Sequence, residues 1–324
     1  MEYQPVCPMT SPHQNLAPIL RAFQTQSATA FSFQGENFAL PSEAEAESTL
    51  SNLIYERCYM RRIDSPAAST LKGETSPLTA DLCAANTSRP RWQAGWCIEA
   101  TENSGWITAS RDGLTRAFAP GEYITKEGPG MPLRTGAMVD VYFAVESHYM
   151  QPGFYFAFGE TVDPADSGCL LRFYWNLNPD GAPLLLHSLS TLLNRFQVPF
   201  RFKCLIQPGA YVRTDSAVLY ISRRWYQITA RLLRTAHRSV ESHLRADAPL
   251  FTKPLAVGLA LAEDPGGNQS FGMHRSRALA KAMLGPSQGS LTVADIEKRL
   301  GEQGVSLAAP YLNPGSADIY DFVS

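Results

Sequence analysis

Two short runs of strict two-residue alternation, held apart by a stretch with helical spacing, constrain this chain most. In the run from Leu171 to Leu177, Leu171, Phe173, Trp175 and Leu177 are apolar, while Arg172, Tyr174 and Asn176 fall on the opposite side. In the run from Phe200 to Ile206, Phe202, Cys204 and Ile206 are apolar, and Arg201 and Lys203 share the other face. Alternation of this kind sorts side chains to the two faces of a half-buried strand. Between the runs, Leu185, Leu189, Leu192, Leu193 and Phe196 recur as on one face of a helix. Residues 139–145, 154–158, 217–221 and 255–261 read as further strands. A long helix is expected over 223–244, and shorter ones over 275–284 and 292–304, the last with Thr292 as its cap. The second half therefore reads as α+β, a mixed sheet with flanking helices.

Upstream, residues 1 to about 40 read as irregular. Pro41-Ser42 followed by Glu43, Glu45 and Glu47 reads as a helix start, with acids at the positive end of the dipole. Leu50, Leu53, Ile54 and Tyr55 continue its apolar face, and Arg61 and Arg62 sit near its other end. Residues 63–90 form a turn-rich connection. Between 92 and 124, Trp92, Trp96, Ile98, Trp106 and Ile107 alternate, punctuated by Gly95, Gly105, Gly113 and Gly121, which suggests a small antiparallel meander. Gly128-Pro-Gly-Met-Pro132 is the expected boundary. It divides a helix-plus-meander region at 1–130, suited to peptide or kinase contact, from a catalytic domain at 131–324.

Charge narrows the function. The 324 residues carry 28 Lys plus Arg against 30 Asp plus Glu, a formal net charge of −2, which argues against a globally basic nucleic-acid binder. The charge is unevenly spread. Residues 195–277 hold 13 basic against 5 acidic side chains, while residues 1–194 hold 12 against 20. Part of the block is a solvated helical face carrying Arg223, Arg224, Arg231, Arg234, Arg238 and Arg245; the rest is an anion-site candidate. The six cysteines show no paired metal-ligand spacing and read as reduced thiols of a cytoplasmic protein, with no metal site and no cofactor expected. The apolar stretches are too short to cross a bilayer, and no secretory signal opens the chain.

If the two alternating strands lie in one sheet, Arg172, Tyr174, Arg201 and Lys203 converge on one polar surface. Arg213 stands just before an apolar strand, and His274 and Arg275 follow a Gly-rich turn. A lysine among guanidinium groups is driven toward its neutral form and can act as a base. The arginines can grip phosphate, and Tyr174 or His274 can donate a proton. A base, a phosphate clamp and a proton donor, used without a metal, suit β-elimination of phosphate from phosphoserine or phosphothreonine, with the cations stabilising the developing charge. The plainer reading leaves Arg and Lys solvated, Tyr174 packed by its ring, and His274 a hydrogen-bonding residue.

The segments RFYWNL (172–177), PFRFKCLI (199–206), YVRTDSAVLYI (211–221), PLFTKPLAVGLALAEDP (249–265) and SFGMHR (270–275), with a weaker ANTSRPRWQAGW (85–96), resemble the Hop-A-type type III effector family. That family includes plant-pathogen effectors and is similar to dehydrating lyases of class V lanthipeptide and thioamitide biosynthesis. It is more distantly similar to phosphothreonine lyase effectors. The resemblance implies a phosphothreonine-lyase-like α+β fold, with a mixed, largely antiparallel sheet and flanking helices. It makes Lys203 the base and Arg213 the phosphate clamp, and puts Arg172 and Tyr174 in the places of a motif lysine and an acid histidine. The Lys-x-His pattern itself is absent here, which leaves the acid open between Tyr174 and His274. Arg201, Arg275 and Lys253 complete the phosphate candidates.

The function expected is a metal-independent lyase. It converts phosphorylated Ser or Thr of a ribosomal precursor peptide to dehydroalanine or dehydrobutyrine. The chain has no kinase or P-loop signature, so a separate Ser/Thr peptide kinase is the expected partner, in a complex, with neither nucleic acid nor membrane involved. The same chemistry on host phosphoproteins, by a secreted effector, is the first alternative. A non-catalytic module that holds phosphopeptide is the second.

Overall fold

The computed structural model describes residues 12–65, 76–126, 132–162, 169–267, 269–285 and 291–322. The expected boundary at Gly128–Pro132 lies outside them but for Pro132. Helix α1 (Pro12–Arg21) leads into a three-stranded antiparallel sheet of β1 (Phe23–Ser27), β2 (Ala30–Phe33) and β3 (Glu36–Ala39). The first 40 residues are therefore not irregular beyond residue 12. Phe31 and Phe33 alternate on β2 and are fully buried, enough apolar area to fix a small sheet. Helix α2 (Glu43–Ile54) begins where expected, the Ser42 hydroxyl accepting from the Glu45 amide. It runs on into a π-helical turn at Tyr55–Tyr59, and α3 (Pro77–Ala85) follows.

The meander comprises β4 (Arg91–Thr101), β5 (Ile107–Arg111), β6 (Leu114–Phe118) and β7 (Tyr123–Thr125). Asp112 and Gly113 both have positive φ and make the tight β5–β6 hairpin. The sheet is completed by β8 (Met138–Phe143), in the order β6-β5-β4-β8-β7. A division at residue 130 thus runs through this sheet, because Val139 and Val141 bury in one cluster with Trp96, Ile98 and Ile107 of the preceding strands.

The remaining elements are β9 (Glu146–Ser147), β10 (Phe154–Phe158), β11 (Leu170–Trp175), α4 (Gly181–Arg195), β12 (Arg201–Leu205), β13 (Ala217–Ser222), α5 (Tyr226–Arg238), β14 (Lys253–Ala256), β15 (Leu259–Glu263), α6 (Phe271–Leu284) and α7 (Val293–Glu302). The strands form a seven-stranded sheet, ordered β14-β15-β11-β13-β12-β10-β9. The α+β class with a largely antiparallel sheet holds; every pairing in this sheet is antiparallel. Two sequence expectations shift. The run 255–261 is two strands joined at Val257 and Gly258, where φ is +64° and a Cβ would sit 2.6 Å from the Arg245 carbonyl oxygen. The helix expected over 223–244 ends at Arg238, where the Ser239 hydroxyl donates to the Ala236 carbonyl, and Arg245 lies beyond it.

One face of the sheet carries Leu171, Phe173, Trp175, Phe202, Cys204, Leu219 and Leu261 and is covered by α3, α4 and α5. The other carries Tyr174, Val218, Tyr220 and Ala262 and is covered by α1, α2, α6 and α7. Gly272 permits the closest approach of this second layer, since a Cβ there would lie 2.4 Å from the Tyr59 ring. No residue of β10 or β12 belongs to the second cluster. The covering layer stops short of those strands and leaves part of the face open.

Candidate active site

Register places the expected residues in two rows across that face. One row runs Phe156, Lys203, Val218, Tyr174, Ala260 and the next Phe158, Arg201, Tyr220, Arg172, Ala262. Residues directly opposite in antiparallel strands share a face. Arg172, Tyr174, Arg201 and Lys203 therefore occupy one side of the sheet, but β11 and β12 are not neighbours. Strand β13 lies between them. Its Tyr220 ring is sandwiched by two guanidiniums, Arg201 at 4.5 Å and Arg172 at 5.3 Å from the centroid.

Beyond the edge of the helical layer lies an open groove of about 530 Å³, lined by Met150, Gln151, Phe156, Arg201, Lys203 and Tyr220. The Lys203 Nζ donates to Gln151 Oε1 at 3.2 Å and sits 4.6 Å from the Phe154 ring centroid. Arg213 reaches the same ring, with its guanidinium carbon 5.8 Å from the centroid. Position 213 is thus brought beside the ring that Lys203 also touches by the loop before β13, but it does not line the groove. Thr214 fixes that loop to the π-helical turn, its amide donating to Met60 O and its hydroxyl to Tyr59 O.

The cations differ sharply in how they are neutralised. Arg213 is buried and makes a bidentate pair with Asp215, both bonds 2.8 Å, with a third bond to the Tyr55 hydroxyl. Arg172 is buried and paired to Asp264 at 2.6 Å, with Gln269 O alongside. The mutual repulsion expected of a four-cation cluster is relieved at these two positions by carboxylates. Arg201 and Lys203 have no carboxylate partner among the described residues. The Arg201 Nε is buried and makes no hydrogen bond there.

Of the eight expected site residues, Arg201 and Lys203 line the groove, and three of the other six are held well away by partners of their own. Lys253 lies on the opposite face, opposite Leu261 and in the row of Phe173 and Leu219. It pairs with Asp318 at 2.7 Å. The cause is the hairpin at Gly258, which turns the single strand expected there into an edge strand facing the C-terminal segment. Arg275 is buried by its use as a tether: Nε donates to Pro310 O, Nη2 to Leu312 O and Nη1 to His274 Nδ1, at 2.7, 2.7 and 2.8 Å. Burial pulls this guanidinium down to about 10, and it is not among the residues that line the groove. His274 spends its Nδ1 lone pair on Arg275. Burial first, and the Arg275 charge second, hold its imidazole below the usual value, so at pH 7 it is neutral and a poor proton donor.

Tyr174 shares the face of Lys203 but not the groove. It is sealed under the helical layer against Phe271, its hydroxyl beside that of Tyr59 and without a well-formed hydrogen bond among the described residues. Burial pushes its phenol upward, so it keeps its proton. The tyrosine that does line the groove is Tyr220. The sequence hides it, because Tyr220 stands inside the apolar run Ala217–Ile221 and reads as core.

The Lys253–Asp318 pair gives a pH-dependent expectation. Burial would raise the Asp318 carboxyl, but hydrogen bonds from Lys253, Tyr311 and the Tyr320 amide bring it below 3.8. A lowered folded value stabilises above 3.8 and loses that stabilisation as pH falls through the folded value. Asp318→Asn is therefore expected to lower the denaturation midpoint at pH 7 and to converge on the parent protein only once pH has fallen through the folded value, which lies below 3.8. A deficit that stays constant down to strong acid would contradict this.

No helix among the described residues is long and apolar enough to cross a membrane. A family model described as the HopA1 effector protein family matches residues 145–312, which contain all eight expected site residues. Among solved structures, the chain is similar to an effector protein of Pseudomonas syringae pv. tomato strain DC3000, at 21% identity and TM-score 0.40. It is also similar to one of Pseudomonas syringae pv. syringae strain 61, at 19% identity and TM-score 0.38. Each match covers 49% of this chain and 62% of the other, so the chain spans less than two thirds of either relative's length. No curated protein sequence matches the chain.

Proposed function

The chain belongs to the HopA1 effector protein family, and from that premise we propose that its groove eliminates phosphate from phosphoserine or phosphothreonine. The carrying observation is the pair of cations, Arg201 and Lys203, that line the groove with no carboxylate partner among the described residues. The Arg201 guanidinium matches a phosphate monoester, which carries about −1.5 to −2 at neutral pH, while Lys203 is used as its free amine. Acidic protein surroundings make the match selective, because the neighbouring Arg172 and Arg213 are already neutralised by Asp264 and Asp215.

In this reading Lys203, as its free amine, takes the α-proton. The C–H electron pair becomes the α,β double bond, and the β-carbon–oxygen bond breaks. Phosphate leaves with that bond's electrons, held by Arg201. Tyr220, whose ring is clasped by two guanidiniums, takes the place of Tyr174 and His274 as the proton donor nearest the leaving oxygen. Products are the dehydroamino acid and inorganic phosphate, with no oxidant or reductant consumed. The substrate is a precursor peptide phosphorylated by a separate kinase that binds the same complex.

Incubation with a phosphothreonine peptide should remove the mass of phosphoric acid and release inorganic phosphate. Arg201→Ala should raise KM for the phosphopeptide at least tenfold. Tyr220→Phe should lower kcat with KM little changed. An unaltered phosphopeptide, alone and with an added Ser/Thr peptide kinase, would overturn the proposal. The effector descriptions of the family and of both solved structures favour a second reading, the same elimination on a host phosphoprotein. Processing of the folded host protein in preference to a free peptide would select it.

A further inference from the structure

On the back of the sheet's outer edge, three metal-ligating atoms converge. Cys83 comes from the end of α3, Glu146 from β9, and His148 from the loop that follows. The Cys83 Sγ lies 3.7 Å from His148 Nε2, and the same nitrogen lies 3.6 Å from Glu146 Oε1. All three atoms fall within 4.8 Å of one another and are partly buried. The nitrogen–oxygen separation is too long for a good hydrogen bond, and the sulfur–nitrogen contact is a weak one. The sulfur–nitrogen separation is the one a shared ion would impose, and nitrogen and oxygen would close by a few tenths of an ångström on binding. With zinc–sulfur at about 2.3 Å and zinc–nitrogen at about 2.0–2.1 Å, tetrahedral angles put sulfur and nitrogen about 3.6 Å apart.

The surroundings are those of a ligand set. The other carboxylate oxygen, Glu146 Oε2, accepts from the Tyr155 hydroxyl at 2.6 Å, which leaves Oε1 to face the site. Asn86 in turn donates to Tyr155 and to Val145 O, fixing the carboxylate and its strand. Such outer hydrogen bonds orient ligands. The spacing of 63 residues between Cys83 and Glu146 hid the trio from a search for paired ligands, and the sequence expectation of no metal site rested on that search.

We propose that Cys83 Sγ, Glu146 Oε1 and His148 Nε2 bind one divalent ion of the zinc class, with water as the fourth ligand. Binding replaces the thiol proton by a sulfur–metal bond and releases that proton to solvent. Mixed sulfur, nitrogen and oxygen donors suit a borderline-soft ion and disfavour magnesium or calcium. The ion would fasten β9 to α3. It would also anchor the loop beginning at His148, which presents Tyr149, Met150 and Gln151, the last two at the groove rim.

The test uses tag-free full-length protein, stripped with chelator and titrated with cobalt(II) and then zinc(II). One equivalent should bind, with the charge-transfer absorption of a cysteinate–cobalt bond. Cys83→Ser and His148→Ala should each abolish that absorption, and Cys97→Ser should leave it intact. Zinc should raise the melting temperature of the parent protein and not of Cys83→Ser. Glu146→Gln, which keeps the Tyr155 hydrogen bond, serves if Cys83→Ser does not fold; it should weaken binding at least tenfold. Failure to bind at micromolar metal, or binding unchanged in these variants, would overturn the assignment. Neither result depends on whether the groove is a lyase, because the readouts are optical and thermal.

Discussion

Lys203→Ala is expected to abolish phosphate elimination while leaving the protein folded. General base catalysis contributes roughly 10²–10⁴-fold, and removal of the only amine in the groove lining forfeits that whole factor. The side chain is half-buried, and its hydrogen bond among the described residues goes to the Gln151 amide oxygen, so the fold loses little. Substrate binding should weaken by less than turnover, because Arg201 still meets the phosphate. Lys203→Arg separates the roles: it keeps the charge but offers no free amine, so binding should survive and turnover should not. Comparable turnover in the arginine variant would remove Lys203 from the mechanism.

Asp215→Ala is expected to be the most damaging single change to stability near the site. It leaves the Arg213 guanidinium buried with its bidentate partner gone, and such breakage costs about 3–5 kcal/mol. The same loop carries Thr214, whose bonds to Tyr59 and Met60 tie it to the π-helical turn, so the damage should spread to that contact. The double variant Arg213→Met with Asp215→Leu should recover most of the loss, since replacing a buried pair by apolar groups is often nearly neutral. Denaturant unfolding of the parent, the two single variants and the double variant measures the coupling. A loss under about 1 kcal/mol in Asp215→Ala would mean the pair behaves as a surface ion pair.

Alternation along Leu171–Leu177 and Phe200–Ile206 was enough to sort the polar residues to one face, and the capping signals at Ser42 and Thr292 were enough to start two helices. Strand order was not legible. That Ala217–Ser222 inserts between the two alternating strands depends on long-range pairing, which no local spacing encodes. Charge compensation was half legible. Asp215 stands two residues from Arg213, whereas Asp264 reaches Arg172 across 92 residues of chain. Lys253 and Arg275 looked like phosphate ligands because a segment pattern shows that cations are present and not what holds them. Here a C-terminal segment holds both, through Asp318 and through the carbonyls of Pro310 and Leu312. Tyr220 was lost inside an apolar run because a tyrosine body packs like any aromatic and only its tip reveals its use.

The bare stretch of sheet has a width that selects what can lie in it. Its floor draws on three adjacent strands, through Phe156, Lys203 with Arg201, and Tyr220, and strands stand about 4.8 Å apart, so it is roughly 10 Å across. A helix with its side chains needs about 10–12 Å for itself, and would touch both walls before its modified residue reached the bottom. A chain drawn out straight fits with room for a branched ester. On the proposed reading the groove would take extended polypeptide, and a modified residue inside a helix would have to be unwound before it could be delivered.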